Sequence, residues 1–334
     1  MRRPEGPAVG KLSRIVSRYP ARLGQLAQVA LLGVAAIVVT GADPPPAMPH
    51  PAPNARARPA DNAACEGCHA AIAAEWHQSL HSTSFTDADF QRAFVQDPDP
   101  FCRGCHAAER DERLGVACVT CHVTTADVLA VPGAGRAPHA LTRTPEFATE
   151  AACARCHEFD FPDAQLRQKP LAMQRTLSEH RGRNDTCAMC HMQKRDGHAD
   201  HRFAAARDEA FVKSAVTIRA TRIAATTIEI VLTPALVGHA FPTGDLFRRV
   251  RVSAGTASRF LARHYASRQE IPGVLVRSEV SDDRVLGGDR VVVMEVPAGK
   301  TRVRVVYERA EGPSGTTSSN ASVAGSIALF DAEL

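Results

Sequence analysis

Every cysteine of this 334-residue chain belongs to one pattern, two cysteines three positions apart with a histidine directly after the second. The five motifs are Cys65, Cys68 and His69; Cys102, Cys105 and His106; Cys118, Cys121 and His122; Cys153, Cys156 and His157; and Cys187, Cys190 and His191. This is the spacing at which a c-type haem is attached, with two thioether bonds to the haem vinyl groups and an imidazole that reaches the iron. The motifs therefore predict five covalently bound haem c groups.

Zinc sites and a disulfide framework are the alternatives for so many cysteines. Zinc sites tolerate variable spacing and scattered histidines, and a disulfide framework does not need a histidine after each second cysteine. Five identical motifs that leave no cysteine over fit neither alternative.

Second iron ligands decide what such haems could do. An iron that only carries electrons needs a sixth ligand, whereas a vacant sixth position lets small molecules bind. Nine histidines lie outside the motifs, at His50, His77, His81, His139, His180, His198, His201, His239 and His264. They are enough to give five irons two imidazoles each, a ligation that sets lower reduction potentials than histidine with methionine.

The amino terminus has the layout of an export signal. In residues 1–42, basic side chains precede an apolar stretch, Leu23 to Val39, and small residues follow it. Because the stretch is at the lower limit for a spanning helix, a cleaved signal peptide and an uncleaved membrane anchor both stay open. Either one predicts a periplasmic or other extracytoplasmic location.

Residues 43–60 are rich in proline, which is typical of a stiff, exposed linker. Residues 61–207 carry all the motifs, and the whole chain has only 5% aromatic residues with a single tryptophan. We therefore expect the haems to form much of the core there, and the apoprotein of this part to be largely unfolded. Helical turns are expected just after each motif, and the short gap between His106 and Cys118 predicts that haems two and three lie close.

Residues 208–334 contain no cysteine, and alternating β-branched residues predict short strands. The predicted segments are 216–218, 227–232, 250–252, 274–276, 291–294, 303–306 and 326–330. Their number and the glycine and proline between them favour an antiparallel β-sandwich. The predicted fold class is α+β and multidomain, with a mostly helical and loop multihaem domain at 61–207 followed by the β-sandwich at 208–334.

Three segments resemble the class of multihaem cytochromes c that contains the tetrahaem electron carrier of ammonia oxidisers and the octahaem hydroxylamine oxidoreductases. They are the Trp-x-x-Ser-x-His run from Trp76 to His81, the run from Gly115 to His122 and the run from Cys187 to Met192. The resemblance covers the haem segment, 61–207, and indicates how haems pack rather than a reaction. It implies distal ligands at His81 for the third haem, at His139 for the first, and at His180 for a neighbouring haem.

Two further histidines stand in segments with such a resemblance. His201 resembles a ligand position found after late motifs, with His198 as the weaker alternative. Residues 238–244 resemble a Gly-His-x-Phe-Pro-Thr-Gly segment of β-domains appended to multihaem cytochromes, and Pro242 to Gly244 form a turn in this pattern. For His239 two interpretations stay open: it stabilises this loop, or the loop docks on the haem segment and His239 caps an iron.

The leading functional hypothesis is an exported pentahaem protein that relays electrons through mostly bis-histidine haems, from a quinol-side donor to a periplasmic or outer-surface acceptor. A second is an oxidoreductase with one five-coordinate haem, which acts on a small nitrogen or sulfur species. The motif at Cys102 is its candidate, because the resemblance implies that its counterpart lacks a distal histidine. No Cys-x-x-Cys-Lys variant occurs and no tyrosine lies within 61–207, which disfavours an enzyme, so no catalytic residue is predicted.

A third hypothesis is a subunit of a membrane-associated complex or filament, in which an edge strand of the sandwich adds to a partner sheet. The formal net charge of +4 does not indicate nucleic acid. No basic run is interleaved with aromatic residues, and the haem propionates would make the loaded protein more negative. The expected partners are therefore redox proteins, together with a membrane if the amino-terminal segment is an anchor.

Overall fold

The structure, a computed structural model, describes residues 58–96, 98–124, 127–160, 171–180, 184–235, 238–271, 274–311 and 321–334. The predicted signal or anchor segment, residues 1–42, and residues 43–57 of the predicted linker lie outside these ranges. Residues 43–334 belong to one structural unit. None of the helices in the described ranges is long and apolar enough to cross a membrane.

The helices are short, and most of them carry or flank a motif. They are α1 Arg58–Cys68, α2 Ala70–Trp76, α3 Ala88–Gln96, α4 Arg103–His106, α5 Cys118–His122, α6 Ala151–His157, α7 Thr176–His180, α8 Cys187–His191 and α9 Glu209–Ser214, with 3₁₀ turns at Pro100–Cys102 and Pro145–Ala148. Residues three and four apart share one helix face, so the helix brings the two thiols and the imidazole of a motif to one side. The expected helical turn directly after a motif is confirmed for the first motif, which α2 follows. It is wrong for the other four: among the described residues their helices overlap the motif itself, and no helix follows it directly.

Strands dominate the chain after α9. The strands are β1 Leu129–Ala130, β2 Thr142–Arg143, β3 Glu158–Asp160, β4 Ala172–Arg175, β5 Lys194–Arg195, β6 His198–Ala199, β7 Val216–Ala224, β8 Thr227–Pro234, β9 Arg248–Ala254, β10 Ala257–Leu261, β11 Arg263–Ile271, β12 Val274–Asp282, β13 Arg290–Glu295, β14 Arg302–Ala310 and β15 Val323–Glu333. All seven predicted segments lie within strands. Of the strands after α9, β10 and β11 contain no predicted segment. Helices and antiparallel strands together make the fold α+β.

The strands after α9 form two larger sheets and a hairpin. One sheet has the order β13-β8-β7, the other has the order β10-β9-β14-β15, and β11 pairs with β12. These pairings are antiparallel. Alternate side chains of a strand point to one face, and those of both larger sheets meet in one hydrophobic cluster that includes the buried Ile230, Val252, Val292 and Val305.

Ion pairs and a hydrogen bond join the strand-rich part, residues 208–334, to the motif-carrying segment, residues 61–207. Arg309 of β14 donates to Asp89 of α3 at 3.0 Å. Arg263 of β11 donates to the Met173 carbonyl oxygen at 3.0 Å, and Glu279 of β12 pairs with Arg175 of β4. The motif-carrying segment and the strand-rich part are therefore in direct contact.

Candidate haem centres

Four of the five motif histidines face a second imidazole from elsewhere in the chain. The ring centroids are 6.4 Å apart for His69 and His139, 6.3 Å for His157 and His81, 6.3 Å for His122 and His201, and 6.1 Å for His191 and His239. The four partner histidines were all predicted as distal ligands. The structure places each of them opposite one motif histidine.

The spacing of these pairs fits one metal ion between two imidazoles. A metal–nitrogen bond of about 2 Å on each side, with a ring radius of about 1.1 Å, puts the two centroids roughly 6.3 Å apart. Face-to-face stacking brings rings closer than this, as for Phe90 on His106, with centroids 3.8 Å apart. The residues at four motifs therefore fit an iron with two axial imidazoles.

Most of these imidazoles are held by a hydrogen bond from Nδ1. Nδ1 lies against a backbone carbonyl oxygen in His106 with Ser84 (2.8 Å), His122 with Leu129 (3.0 Å), His139 with Ala140 (3.0 Å), His191 with Ala204 (2.7 Å), His201 with Ala199 (2.7 Å) and His239 with Ala240 (2.9 Å). A carbonyl can only accept, so Nδ1 carries the proton and Nε2 keeps its lone pair. Metal-bound histidines are oriented by this kind of bond.

Burial lowers the pKa of five of these imidazoles and so favours the neutral form that ligates a metal. The pKa of His81 is lowered to about 3, first by burial and then by the nearby His157, His191 and His106. Burial is also the largest cause of the lowered pKa of His122, His157, His201 and His239. A side chain that does not take up a proton near neutral pH has its Nε2 lone pair available.

The Trp-x-x-Ser-x-His segment positions His81. Trp76 Nε1 donates to the Val116 carbonyl oxygen at 2.8 Å, and the Ser79 hydroxyl donates to the Trp76 carbonyl oxygen at 2.6 Å. The Val116 N–H donates back to the His81 carbonyl oxygen at 2.8 Å. Gly115 has a φ of +60°, and a Cβ there would lie 2.3 Å from that same oxygen, so glycine is required for this close approach.

One expected pairing is wrong. We expected His81 to belong to the third haem, but its ring faces His157 of the fourth motif, and His201 faces His122 of the third. The structure also shows Nδ1 of His81 buried, with no hydrogen-bond partner among the described residues. The ring instead packs edge-on against Phe203 at 4.4 Å.

The predicted ligand His180 does not face a motif histidine among the described residues. Its ring is buried, and Nδ1 lies 3.9 Å from Glu150 Oε1. The weaker alternative, His198, directs Nε2 to Glu75 Oε1 at 3.0 Å, which occupies the nitrogen that would ligate. The His77 ring is tilted at 50° to that of Trp76, with centroids 4.6 Å apart, and its Nε2 lies 2.8 Å from Glu66 Oε2.

The loop that carries His239 docks on α7. Phe241 is buried in the cluster between the two larger sheets. The Ala240 N–H and the Thr243 hydroxyl both donate to Glu179 Oε2, at 3.2 and 2.7 Å. Both interpretations of His239 therefore have a counterpart: its loop is fixed by these bonds, and its ring lies opposite His191.

The second motif differs from the others. In the described part of the chain, no second imidazole faces His106, and Phe90 stacks on its ring at an angle of 15°. Burial lowers the pKa of His106, against the opposing effects of its bond to Ser84 and of the nearby Asp245 and Asp87. His106 is thus a neutral imidazole without a facing imidazole in these ranges.

Cysteines of different motifs lie next to one another. Thiols are in hydrogen-bond contact between Cys105 and Cys156 and between Cys153 and Cys187, and weaker electrostatic contacts join Cys65 with Cys118 and Cys121 with Cys156. The closeness of haems two and three stays a prediction from the gap after His106; the thiol contact of the second motif is with the fourth. The attachment points of the fourth motif therefore adjoin those of the second, third and fifth.

Sequence patterns did not reveal the carboxylates that hold these histidines. Glu75 and Glu179 carry no motif signature. Their roles depend on contacts with residues 60 or more positions away. The only signal near them is their position, since Glu75 precedes Trp76 and Glu179 precedes His180.

The comparison with solved structures finds the same fold in a penta-heme cytochrome c552 from Thermochromatium tepidum. The TM-score is 0.64 at 18% sequence identity, and the match covers 81% of this chain and 97% of that chain. No protein-family profile matches the chain, and no curated protein is significantly similar to it in sequence. At this identity the similarity shows a common fold, that of a multihaem cytochrome c.

Proposed function

We propose that this chain is an exported pentahaem c-type cytochrome that relays electrons between respiratory partners through mostly bis-histidine haems. The set of four facing imidazole pairs, each with one motif histidine, carries the proposal. The common fold with a penta-heme cytochrome supports the number of haems. The architecture would be a haem domain at 61–207 with a β-sandwich at 208–334.

The residues have distinct roles in this proposal. The ten motif cysteines would bind five haems covalently, the motif histidines would supply one axial nitrogen to each, and His81, His139, His201 and His239 would supply the second nitrogen at four of them. When bound, haem supplies reversible one-electron oxidation and reduction of its iron. The chain orients most of these imidazoles through Nδ1 bonds, and burial favours the neutral form of His81, His122, His157, His201 and His239.

Contacts between motif cysteines support a continuous route for electrons. The first motif adjoins the third through Cys65 and Cys118, and the third adjoins the fourth through Cys121 and Cys156. Through the same Cys156 the fourth motif adjoins the second. We infer that the fourth haem is the branch point of the relay.

Location and partners belong to the same proposal. The amino-terminal export pattern of residues 1–42 supports a periplasmic or other extracytoplasmic protein, with either a cleaved signal or a membrane anchor. The donor would be a quinol-side redox protein and the acceptor a periplasmic or outer-surface one. No nucleic-acid partner is proposed.

Haem counting and electron paramagnetic resonance test the proposal. The holoprotein is expected to contain five haems per chain, by pyridine haemochrome assay and intact mass, and at least four low-spin ferric signals. A variant with both Cys187 and Cys190 changed to Ala should lose one haem. Fewer than five haems in the wild type, or fewer than four low-spin irons, would overturn the proposal.

The second candidate is an oxidoreductase that binds a small nitrogen or sulfur species at the second haem. One observation favours it: His106 has no facing imidazole among the described residues. In this case one haem is high-spin, and reduced protein binds one equivalent of carbon monoxide at that haem. Five low-spin haems that bind no carbon monoxide would exclude an open site and leave the relay.

A further inference from the structure

Two carboxylates of the motif-carrying segment are bonded to the backbone beside distal histidines. The first is Glu75, in α2. Its Oε2 accepts the backbone N–H of His201 at 2.9 Å, and its Oε1 lies 3.0 Å from His198 Nε2. The His201 Nδ1 then donates to the Ala199 carbonyl oxygen at 2.7 Å. The carboxylate thus fixes the segment 198–201, and that segment fixes the ring of His201.

The second carboxylate is Glu179 in α7, with a side chain only 5% exposed. Its Oε2 accepts the Ala240 N–H and the Thr243 hydroxyl. The Ala240 carbonyl oxygen in turn accepts from His239 Nδ1 at 2.9 Å. The backbone of Ala240 is therefore held by the carboxylate through its N–H, and its carbonyl oxygen, in the next peptide group, holds the imidazole.

Arg284 completes the arrangement around Glu179. Its guanidinium pairs with Glu179 Oε1 and donates to the Pro242 carbonyl oxygen at 3.0 Å. The same guanidinium binds Asp282 at 2.7 Å. A buried charge is stable only when it is paired and hydrogen-bonded. Glu179 meets this condition, because Oε2 accepts from the His239 loop and Oε1 pairs with Arg284.

Ring orientation separates the tethered pairs from the other two. The two rings are close to parallel where a carboxylate tethers the distal segment, at 27° for His122 with His201 and 21° for His191 with His239. They cross at 74° for His69 with His139 and at 57° for His157 with His81. His139 and His81 are held by other contacts, the first by its own neighbour Ala140 and the second by Val116.

We propose that Glu75 and Glu179 are positioning residues that set the orientation of His201 and His239 and hold these imidazoles on the third and fifth irons. The inference rests on the proposed haem ligation. Neither carboxylate would touch the iron; each acts through the backbone next to its histidine. The strand-rich part thereby takes part in the redox site, because Glu179 ties its loop to the motif-carrying segment.

Electron paramagnetic resonance of the ferric holoprotein tests this role, because near-parallel axial imidazoles give a rhombic low-spin signal and crossed ones a highly anisotropic signal. Glu179→Ala should remove half of the rhombic intensity. It should also speed carbon monoxide binding to one reduced haem by about tenfold, because the Ala240 N–H and the Thr243 hydroxyl lose their charged acceptor and the histidine is released more easily. Glu179→Gln keeps an acceptor oxygen and should restore the rhombic signal.

Glu279→Ala is the matched control. Glu279 pairs with Arg175 and Arg263 at the same interface but makes no bond to the His239 loop, so its loss should leave both readouts unchanged. Glu75→Ala should give the same change at the third haem, and the double variant should lose all rhombic intensity, because the two sites are independent.

Three outcomes are decisive. Wild-type rhombic intensity and carbon monoxide kinetics in Glu179→Ala, with five haems bound, overturn the positioning role and leave the haem proposal intact. A wild-type protein without five haems overturns the proposed function itself. If Glu179→Ala does not fold, Thr243→Val replaces it; it removes one donor to the carboxylate, and about threefold faster carbon monoxide binding is expected, whereas a wild-type rate rejects the inference.

Discussion

The two parts of the chain are stabilised by different means. Among the described residues from 208 onward, one cluster contains eighteen buried hydrophobic residues, most of them from the two larger sheets. The clusters of the motif-carrying segment hold three buried residues each, one around Trp76 and one around Phe85. A cluster of the first kind is a core in itself, whereas small clusters among histidines and cysteines need another apolar component. Five haems would supply it.

The parts are nevertheless not independent. The loop 238–245 places Phe241 in the strand-rich core and the His239 ring opposite His191 of the fifth motif. A single loop thus belongs to both regions. The strand-rich part is stable through its own side chains, and we infer that it serves the haem region by supplying one ligand.

The largest expected effect follows from this difference. If all ten cysteines are changed to Ala, no haem is attached, and residues 58–207 should lose their folded structure while 208–334 keep theirs. Structure that depends on a bound metal group is lost without it. Hydrogen exchange followed by mass spectrometry should show protected amides only after about residue 212 in this variant.

The wild-type holoprotein is the control and should show protection in both regions. Protection across 58–207 in the haem-free variant would mean that this region has a sufficient core of its own. Loss of protection in the strands of 208–334 would mean that the strand-rich part depends on the haems as well. Either result would break the comparison.

The second prediction tests the core of the strand-rich part. Ile230 in β8 is fully buried, and Ile230→Ala should cost about 2–5 kcal/mol of unfolding free energy because it leaves a cavity. The haem spectrum of the native variant should stay that of the wild type. Denaturant unfolding followed by far-ultraviolet circular dichroism measures the cost.

Ile223→Ala is its control, because Ile223 in β7 is 54% exposed. It should change the unfolding free energy by no more than about 0.5 kcal/mol. Equal losses in the two variants would show that burial in this cluster does not decide stability.

The third prediction concerns the small cluster of the motif-carrying segment. Trp76 is 4% exposed, and Trp76→Phe removes the donor to the Val116 carbonyl oxygen along with part of the ring. A buried acceptor without its partner costs about 1–3 kcal/mol. Because Val116 also holds His81, the spectrum of one haem should change too, in contrast to Ile230→Ala. An unchanged haem spectrum would show that Trp76 contributes to stability without positioning His81.

The sequence alone was sufficient where chemistry or periodicity is local. The motifs indicated which cysteines and histidines belong together, and alternation in segments such as 227–232 and 303–306 indicated strands that the structure contains. His139 and His201 stood near enough to known patterns to be picked out. Each of these predictions depends on residues within a few positions of one another.

The sequence was insufficient where distant segments meet. His81 faces the fourth motif rather than the third because Gly115 and Val116 fix its backbone, and no spacing encodes the direction of its ring. His180 stands directly before a motif yet lies beside Glu150. Glu179 is bonded to a loop about sixty positions later, so its role appears only once the two regions are in contact.

The smallest expected effect lies at the contact between the two regions. Asp89 of α3 binds Arg309 of β14 at 3.0 Å and Arg207 at 2.9 Å, with Arg92 of its own helix beside it. Asp87 also faces Arg207, at 2.6 Å. Burial alone would raise the pKa of Asp89, but the hydrogen bonds from Arg309 and Arg207 outweigh it, and the pKa is lowered.

A lowered pKa means that the folded state favours the charged carboxylate. The stabilisation is therefore complete above the ordinary pKa of aspartate and is lost as the pH falls below it. Near pH 7, Asp89→Asn should cost roughly 1 kcal/mol, since the pair is partly exposed and screened by solvent, and this difference from the wild type should vanish in acid. Thermal unfolding at a series of pH values measures it. A difference that persists at low pH would show that the bond geometry of residue 89, rather than its charge, joins the two regions.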